Sequence, residues 1–283
     1  MQRTEIEQAF NKSGLKTRIP VIDQLTRNSV RLSTKPVDES TLALGISKIG
    51  GHPDLPGTMQ WPKQKGLPQS FLAQIRLADL RQFDSDQLLP PRGMLWFFYD
   101  AKQQIFGEQP EDRDGWRVLF NEDPSTQLQR MPTPAGLPAA SLFQACALTF
   151  TSELTLALQP ELELPNFAWS DEEQQAYEQV LDVLHTPEER AQPHHRLLGY
   201  PDTIQDDMRI QCQLVSNGIT DSNDPRAANL QAGASDWLLL LQIDSDASAK
   251  MRWANNGMVY YWIKRADLQA RHFDRGWLVL QSE

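Results

Sequence analysis

Cysteine is nearly missing from this chain: Cys146 and Cys212 are the two in 283 residues. So few cannot staple a chain of this length. Their settings, LFQACALTF and RIQCQLV, read as reduced, half-buried core positions rather than a disulfide framework. Positive charge is also short, with 27 Lys and Arg against 37 Asp and Glu, a balance of −10 at pH 7. A general nucleic-acid binder needs a cationic footprint to displace counterions, so that class is excluded. Adsorption to an anionic membrane surface is excluded on the same ground. The first residues, MQRTEIEQAFNKSG, have no apolar h-region, and no window approaches the ~20 apolar residues of a membrane span. A cytoplasmic protein is expected. No G-x-S-x-G elbow, P-loop or G-x-G-x-x-G fingerprint occurs, and Ser47 and Ser245 have no evident base, so no cofactor is expected.

What is present is a strong β pattern. The segment Trp237–Ile263 holds an apolar run, an acidic turn, an Asn-Asn-Gly turn and an aromatic run, and reads as two buried strands. A weaker copy lies at Phe71–Ile75 and Gly93–Tyr99. Residues 15–48 read as two or three strands (LKTRIPVI, SVRLST, TLALGISKI), with Pro20 and Pro36 confining them to edges or turns. Residues 142–150 and 153–158 read as two more, the second with Leu154, Leu156 and Leu158 on one face, and GWLVLQ as a last one. A hairpin turn is expected at Asp114-Gly115, and short helices at RLADLRQF and KRADLQARHF.

Longer helices are expected at residues 2–13, ended by Gly14, and from Ser170, where Ser170 and Glu173 form a capping box and Pro187 sets the latest end. RIQCQLVS fits either a strand or a short helix. HHRLLGYPDTIQDDM reads as a loop, and residues 217–235 as an exposed, mobile excursion. Prolines 124, 132, 134 and 138 mark a connection between two halves, about 1–125 and 140–283. The expected fold is α+β: mainly antiparallel sheet, a tandem internal duplication and a few peripheral helices, in one domain over 1–283. A single body of this size buries roughly 75% of its extended surface, so a core is assured.

The duplication rests on three matches in the same order. Gly51-His52-Pro53-Asp54 pairs with Gly199-Tyr200-Pro201-Asp202, Leu72–Ile75 with Leu240–Ile243, and Gly93–Phe98 with Gly257–Trp262. Two related sheets, or one sheet with pseudo-twofold symmetry, would follow. A cleft where the halves meet would be the natural ligand site.

At these residues the chain resembles the YwqG-like family of bacterial proteins, a domain-of-unknown-function family. Lys48–Pro56, Trp61-Pro62, Phe71–Ile75 and Leu89–Gly93 carry the resemblance in the first half. Gly199–Pro201 with Gln205, Leu239–Asp246, Trp253, Gly257 and Asp267-Leu268 carry it in the second. The resemblance covers about residues 40 to 280. It implies a cytosolic α+β fold with a duplicated motif and no established reaction. Where the family often shows W-G-D-x-G, this chain has Trp253-Ala254-Asn255-Asn256-Gly257. If an Asp served a metal there, Asn255 would weaken it.

Several side chains remain as candidates. Gln74 and Gln242 end related apolar strands, and a buried amide must be hydrogen-bonded. They would hold the nearby Gly-x-Pro-Asp loops by backbone hydrogen bonds, or line a ligand cleft. Trp61, Trp253 and Trp262 would form an aromatic wall or, more commonly, core. Asp244 and Asp246 would cap a turn. Together with Asp206 and Asp207 they are also the carboxylates that would hold a hard cation, although no metal is expected. His52, His194 and His195 lack zinc-like spacing. The ligand-binding candidates are therefore Asp54, Trp61, Gln74, Asp202, Gln205, Gln242, Asp244, Asp246, Trp253 and Asn255.

No catalytic residue is assigned. The expected function is a non-catalytic binding or protein-interaction module whose acidic surface meets another protein, a basic one by charge. The alternative is a metal-assisted hydrolytic enzyme using the Asp cluster in a cleft between the halves. The sequence sets no oligomeric state.

Overall fold

The computed structural model describes residues 1–123, 127–164, 168–184, 191–221 and 223–283. In chain order its strands are β1 (Thr26–Pro36), β2 (Lys48–Ile49), β3 (Asp54–Pro56), β4 (Lys63–Gln64), β5 (Leu67–Pro68), β6 (Ser70–Arg76) and β7 (Met94–Tyr99). There follow β8 (Trp116–Asn121), β9 (Leu128–Arg130), β10 (Cys146–Leu156), β11 (His195–Leu198), β12 (Trp237–Asp244), β13 (Met258–Lys264) and β14 (Trp277–Gln281). Ten of them make one antiparallel sheet in the order β14-β13-β12-β11-β1-β10-β2-β6-β7-β8. Small ladders β3-β9 and β4-β5 lie outside it.

The sheet curls until its two arms face each other. Trp116 of β8 meets Trp277 of β14 edge-on at 5.0 Å, and Phe97 meets Tyr261 at 5.1 Å. Tyr261 Oη donates to Phe98 O across the gap at 3.0 Å. The main core fills the inside of this curl. Alternation on β7 explains its aromatic run: Leu95, Phe97 and Tyr99 face the main core, while Met94, Trp96 and Phe98 face a second cluster with Leu55, Trp61 and Phe71.

Helices cover the outside. Helix α1 (Arg3–Lys12) buries Ile6, Ala9 and Phe10, and Gly14 follows it at φ +82°. The short α2 (Ile22–Leu25) and α3 (Pro160–Glu163) lie near it. Helix α4 (Asp171–Leu184) has the expected capping box: Glu173 N donates to Ser170 Oγ at 3.2 Å and Ser170 N to Glu173 Oε2 at 3.1 Å. Phe10, Tyr177, Val180, Leu156 and Tyr200 form the cluster beneath them. Pro187 lies outside the described residues.

Several expectations fail, each for a physical reason. LKTRIPVI is a 3-10 turn (Lys16–Val21) leading into α2, because Pro20 supplies no ladder donor and the buried Ile22 and Leu25 that follow are three apart, at helical spacing. Strand β1 is central, not an edge; Pro36 is tolerated as its last residue. Within TLALGISKI only Lys48-Ile49 is strand. Residues 142–158 give one strand, β10, and Leu158 lies beyond it, 47% exposed. Asp114-Gly115 ends a 3-10 turn before β8 rather than closing a hairpin.

The loop HHRLLGYPD contains β11, whose buried HRLL continues the ladder between β1 and β12. RIQCQLV belongs to a helix, Met208–Val215, with Met208, Cys212 and Val215 in the main core at helical spacing. Residues 217–235 are not a bare excursion: Ala227–Leu230 and Gln231–Asp236 are helical, and Ile219 and Ala227 are buried. The Pro-rich stretch contains β9, and Pro124 lies outside the described residues.

Candidate binding site

The two Gly-x-Pro-Asp corners are built by the same contacts. Lys48 of β2 pairs with Gln74 of β6, and Arg196 of β11 with Gln242 of β12. Gln74 Oε1 accepts from Asp54 N at 2.8 Å, and its Nε2 donates to Asp54 Oδ2 at 2.8 Å and Ile46 O at 2.7 Å. Gln242 Oε1 accepts from Asp202 N at 2.9 Å, and its Nε2 donates to Asp202 Oδ2 at 3.0 Å and His194 O at 2.6 Å. Trp96 Nε1 donates to Asp54 O at 3.0 Å, and Tyr260 Oη to Asp202 O at 2.6 Å. Glu39 Oε1 accepts from His52 N at 2.6 Å, and Thr155 Oγ1 from Tyr200 N at 2.7 Å. β-Bulges fall at Phe71/Ala73 and Leu239/Leu241. Both corners need a left-handed glycine, Gly51 at φ +69° and Gly199 at φ +74°; a Cβ on Gly199 would come within 2.7 Å of Thr155 Oγ1.

The corners differ in what covers the carboxylate. Asp54 is fully buried. Strand β9 pairs with β3, opposing Arg130 to Asp54, and Arg130 Nε donates to Asp54 Oδ1 at 2.9 Å. The same guanidinium donates to Glu39 O at 2.7 Å and Leu42 O at 3.1 Å. Burial opposes ionisation of Glu39, yet hydrogen bonds from His52 and Lys48 pull its carboxyl down to about 2. Burial lowers the Lys48 ammonium. The first corner is closed and internally neutralised.

At the second corner the Asp202 side chain is 21% exposed. It opens on a cavity of about 410 Å³ whose polar floor includes His194, Arg196, Asp202 and Asp244. Leu158, Leu181 and Met258 supply apolar wall. Arg196 Nη2 lies 2.7 Å from Asp202 Oδ2, and His194 Nδ1 lies 2.9 Å from the same oxygen. Burial works against the Asp202 charge, but Arg196 and His194 hold its carboxyl well below the usual range. Asp244 Oδ2 accepts from His194 N at 2.8 Å, and burial raises the Asp244 carboxyl. Arg196 Nε and Glu153 Oε1 face each other at 3.3 Å without hydrogen-bond geometry. Among the described residues Pro201, Asp202 and Thr203 make no backbone–backbone hydrogen bond, and no strand lies beside them.

A family model described as a domain of unknown function (DUF1963) matches residues 47–282, which include both corners. The chain belongs to this family. None of the curated proteins compared with it matches. The DUF1963 region thus spans β2 to β14, and β1 lies N-terminal to it.

The ten residues singled out in the sequence do not converge. Asp54 and Gln74 belong to the closed corner, Asp202 and Gln242 to the open one, and Asp244 lines the cavity beside Asp202. Asp246 is buried, accepting from Thr34 Oγ1 at 2.7 Å and facing His195 Nε2 at 3.1 Å. Because Asp244 N donates to His195 Nδ1, the ring proton sits on Nε2, toward Asp246. Trp61 is buried with Phe98, Trp253 is buried against Phe143 and Tyr99, and Trp262 is buried too. Gln205 and Asn255 are exposed; Gln205 Nε2 donates to Ser282 O, and Asn255 O accepts from Glu283 N.

The four aspartates divide between separate places. Asp207 caps the Met208–Val215 helix and pairs with Arg209 at 2.8 Å; Asp206 is exposed, its carbonyl accepting from Gln281. Among the described residues no three His, Cys, Asp or Glu side chains gather as metal ligands. No helix among them is long and apolar enough to cross a membrane. Apart from Met1, the residues lining this cavity come from the second half; another cavity of about 390 Å³, lined by Pro110 and Arg113 with Val215, Trp237, Lys264 and Trp277, lies where the halves meet.

Sequence reasoning missed Thr155, Arg196, Arg130 and Met258. Arg196 had a signal: it stands three residues before its glycine, as Lys48 stands before Gly51.

Proposed function

We propose that the protein is a non-catalytic binding module whose working site is the cavity at Asp202. The observation that carries this reading is the contrast between the corners: Arg130 seals Asp54, while Asp202 opens on about 410 Å³ of space. A buried, pre-organised polar floor under an apolar wall is the usual make-up of a ligand site. The matched hydrogen bonds support descent from a tandem duplication within one domain, with one copy closed and the other kept open for a ligand. They also support the resemblance to YwqG-like proteins, whose quoted motifs supply these contacts. The acid excess favours a protein partner carrying positive charge.

The test is a selection of displayed peptides and small proteins against the wild type, followed by affinity measurements on Leu158→Trp. Leu158 sits at the cavity wall and is exposed enough to accept bulk without disturbing the core. Selected binders are expected to lose affinity by at least about tenfold on the variant. Binders indifferent to Leu158→Trp, or none at all, would overturn the proposal.

A further inference from the structure

The closed corner contains a description of what the open corner is missing. Strand β9 lies antiparallel to β3, with Arg130 opposite Asp54 and Leu128 opposite Pro56. Met131 N donates to Pro53 O at 3.0 Å, which starts the ladder. Leu128 packs on the cluster that contains Met94. The residue next to Met94 in the β6–β7 register is Arg76. Each of these positions has a counterpart at the cavity. Pro53 and Asp54 correspond to Pro201 and Asp202 through the shared glutamine contacts. Met94 and Arg76 correspond to Met258 and Asp244, which are register partners in the same way. Met94 is fully buried, whereas Met258 is half-buried and lines the cavity.

Resting on the binding reading above, we infer that the cavity takes an extended basic segment of a partner protein, added as an antiparallel strand along residues 201–203. Its arginine guanidinium stands at Asp202, and its apolar residue two positions earlier packs on Met258. Strand addition satisfies the bare backbone at Pro201 O and Thr203 and takes specificity from alternate side chains. The charges agree with this occupant. Where the closed corner has Arg76, the open one has Asp244, so a second carboxylate faces the incoming cation. The cavity lining carries three carboxylates, Asp182, Asp202 and Asp244, against the Arg196 guanidinium and the Met1 ammonium. The planar guanidinium suits this place better than an ammonium, because Arg130 reaches a carboxylate and two backbone carbonyls at once.

The probe is the protein's own strand: a fluorescent peptide with the sequence of residues 127–134, QLQRMPTP, titrated against the full chain by anisotropy. Saturable binding is expected, and it weakens with salt. The same peptide carrying Arg130→Gln is expected to bind at least about tenfold less tightly. Changing the peptide cannot unfold the protein, so this comparison stands whatever the protein variants do. Asp244→Asn, checked for an unchanged melting profile, is expected to weaken the arginine peptide several-fold and leave the glutamine peptide unaltered. Equal affinity of the two peptides overturns the inference. So does absence of binding at millimolar peptide when the displayed selection still yields ligands sensitive to Leu158→Trp; the binding module then stands with a different occupant. If neither the peptide nor the selection yields such ligands, both readings fall.

Discussion

Gln242 holds Asp202 by both ends of its amide, donating to the carboxylate at 3.0 Å and accepting from the backbone N–H at 2.9 Å. Gln74 does the same to Asp54. Both glutamines are fully buried. Gln242→Leu keeps much of the volume and removes all three amide hydrogen bonds, leaving buried polar groups without partners. Each such group costs about 1–3 kcal/mol, so a loss of about 2–4 kcal/mol is expected for either Gln→Leu variant. Urea unfolding measures it. A midpoint unmoved by both substitutions would show that the corners stand without the glutamines.

Acid should expose the Asp246–His195 contact. Burial opposes the Asp246 charge, but hydrogen bonds from His195 and Thr34 lower its carboxyl to about 2 in the folded chain. An unfolded Asp titrates near about 3.9. A depressed carboxylate stabilises fully above the unfolded value and loses that contribution as pH falls through the folded one. The expected loss is about 2 kcal/mol between about pH 5 and pH 2. Glu39, also lowered to about 2, adds loss in the same window. Unfolding free energies of wild type and Asp246→Asn, compared across that range, should converge as pH falls; parallel curves would refute the assignment.

Gly107 ties the two arms of the sheet. It has φ +79°, and a Cβ placed on it would stand 1.8 Å from Leu278 O of β14. Trp277 Nε1 donates to its carbonyl at 3.0 Å. Gly107→Ala therefore pushes backbone against backbone in addition to straining φ, and a cost above about 2 kcal/mol is expected. Gly14→Ala has the same sign of φ, +82°, but nothing within 4 Å of the added Cβ. Its smaller effect in the same melting experiment separates clash from strain.

The thiols should be silent in the folded protein. Burial pushes Cys146 up to about 11 and Cys212 well above its ordinary value. Little thiolate exists at neutral pH and neither sulfur is exposed. A thiol reagent is expected to titrate no cysteine in buffer and both in denaturant. Fast reaction of the native protein would contradict their burial.

Much of the fold is legible in the sequence. The apolar runs of β7, β12 and β13, the capping box at Ser170 and Glu173, and Gly14 after α1 were all legible. Local chemistry specifies each of them: continuous apolar side chains, a reciprocal pair of side-chain bonds, a residue free to take positive φ. Strand β11 was not legible, because HRLL is four residues long and owes its strand geometry to ladders on both sides. Helix Met208–Val215 carried an ambiguous pattern until its face met the core. The site divided in the same way. Asp202 and Gln242 were visible from the matched segments and Asp244 from the Asp-x-Asp turn, while Thr155 needed the β10, β1 and β11 strands brought side by side.

From its residues alone this chain was committed to an acidic, mainly antiparallel body with two matching Gly-x-Pro-Asp corners, because charge, periodicity and turn chemistry act over a few neighbouring positions. Which corner would be closed was decided only in three dimensions. Arg130 lies 76 residues from Asp54 along the chain, and no local rule links them. Folding β9 onto β3 brought that guanidinium to one carboxylate and left its counterpart Asp202, paired with Arg196 of β11, lining the cavity.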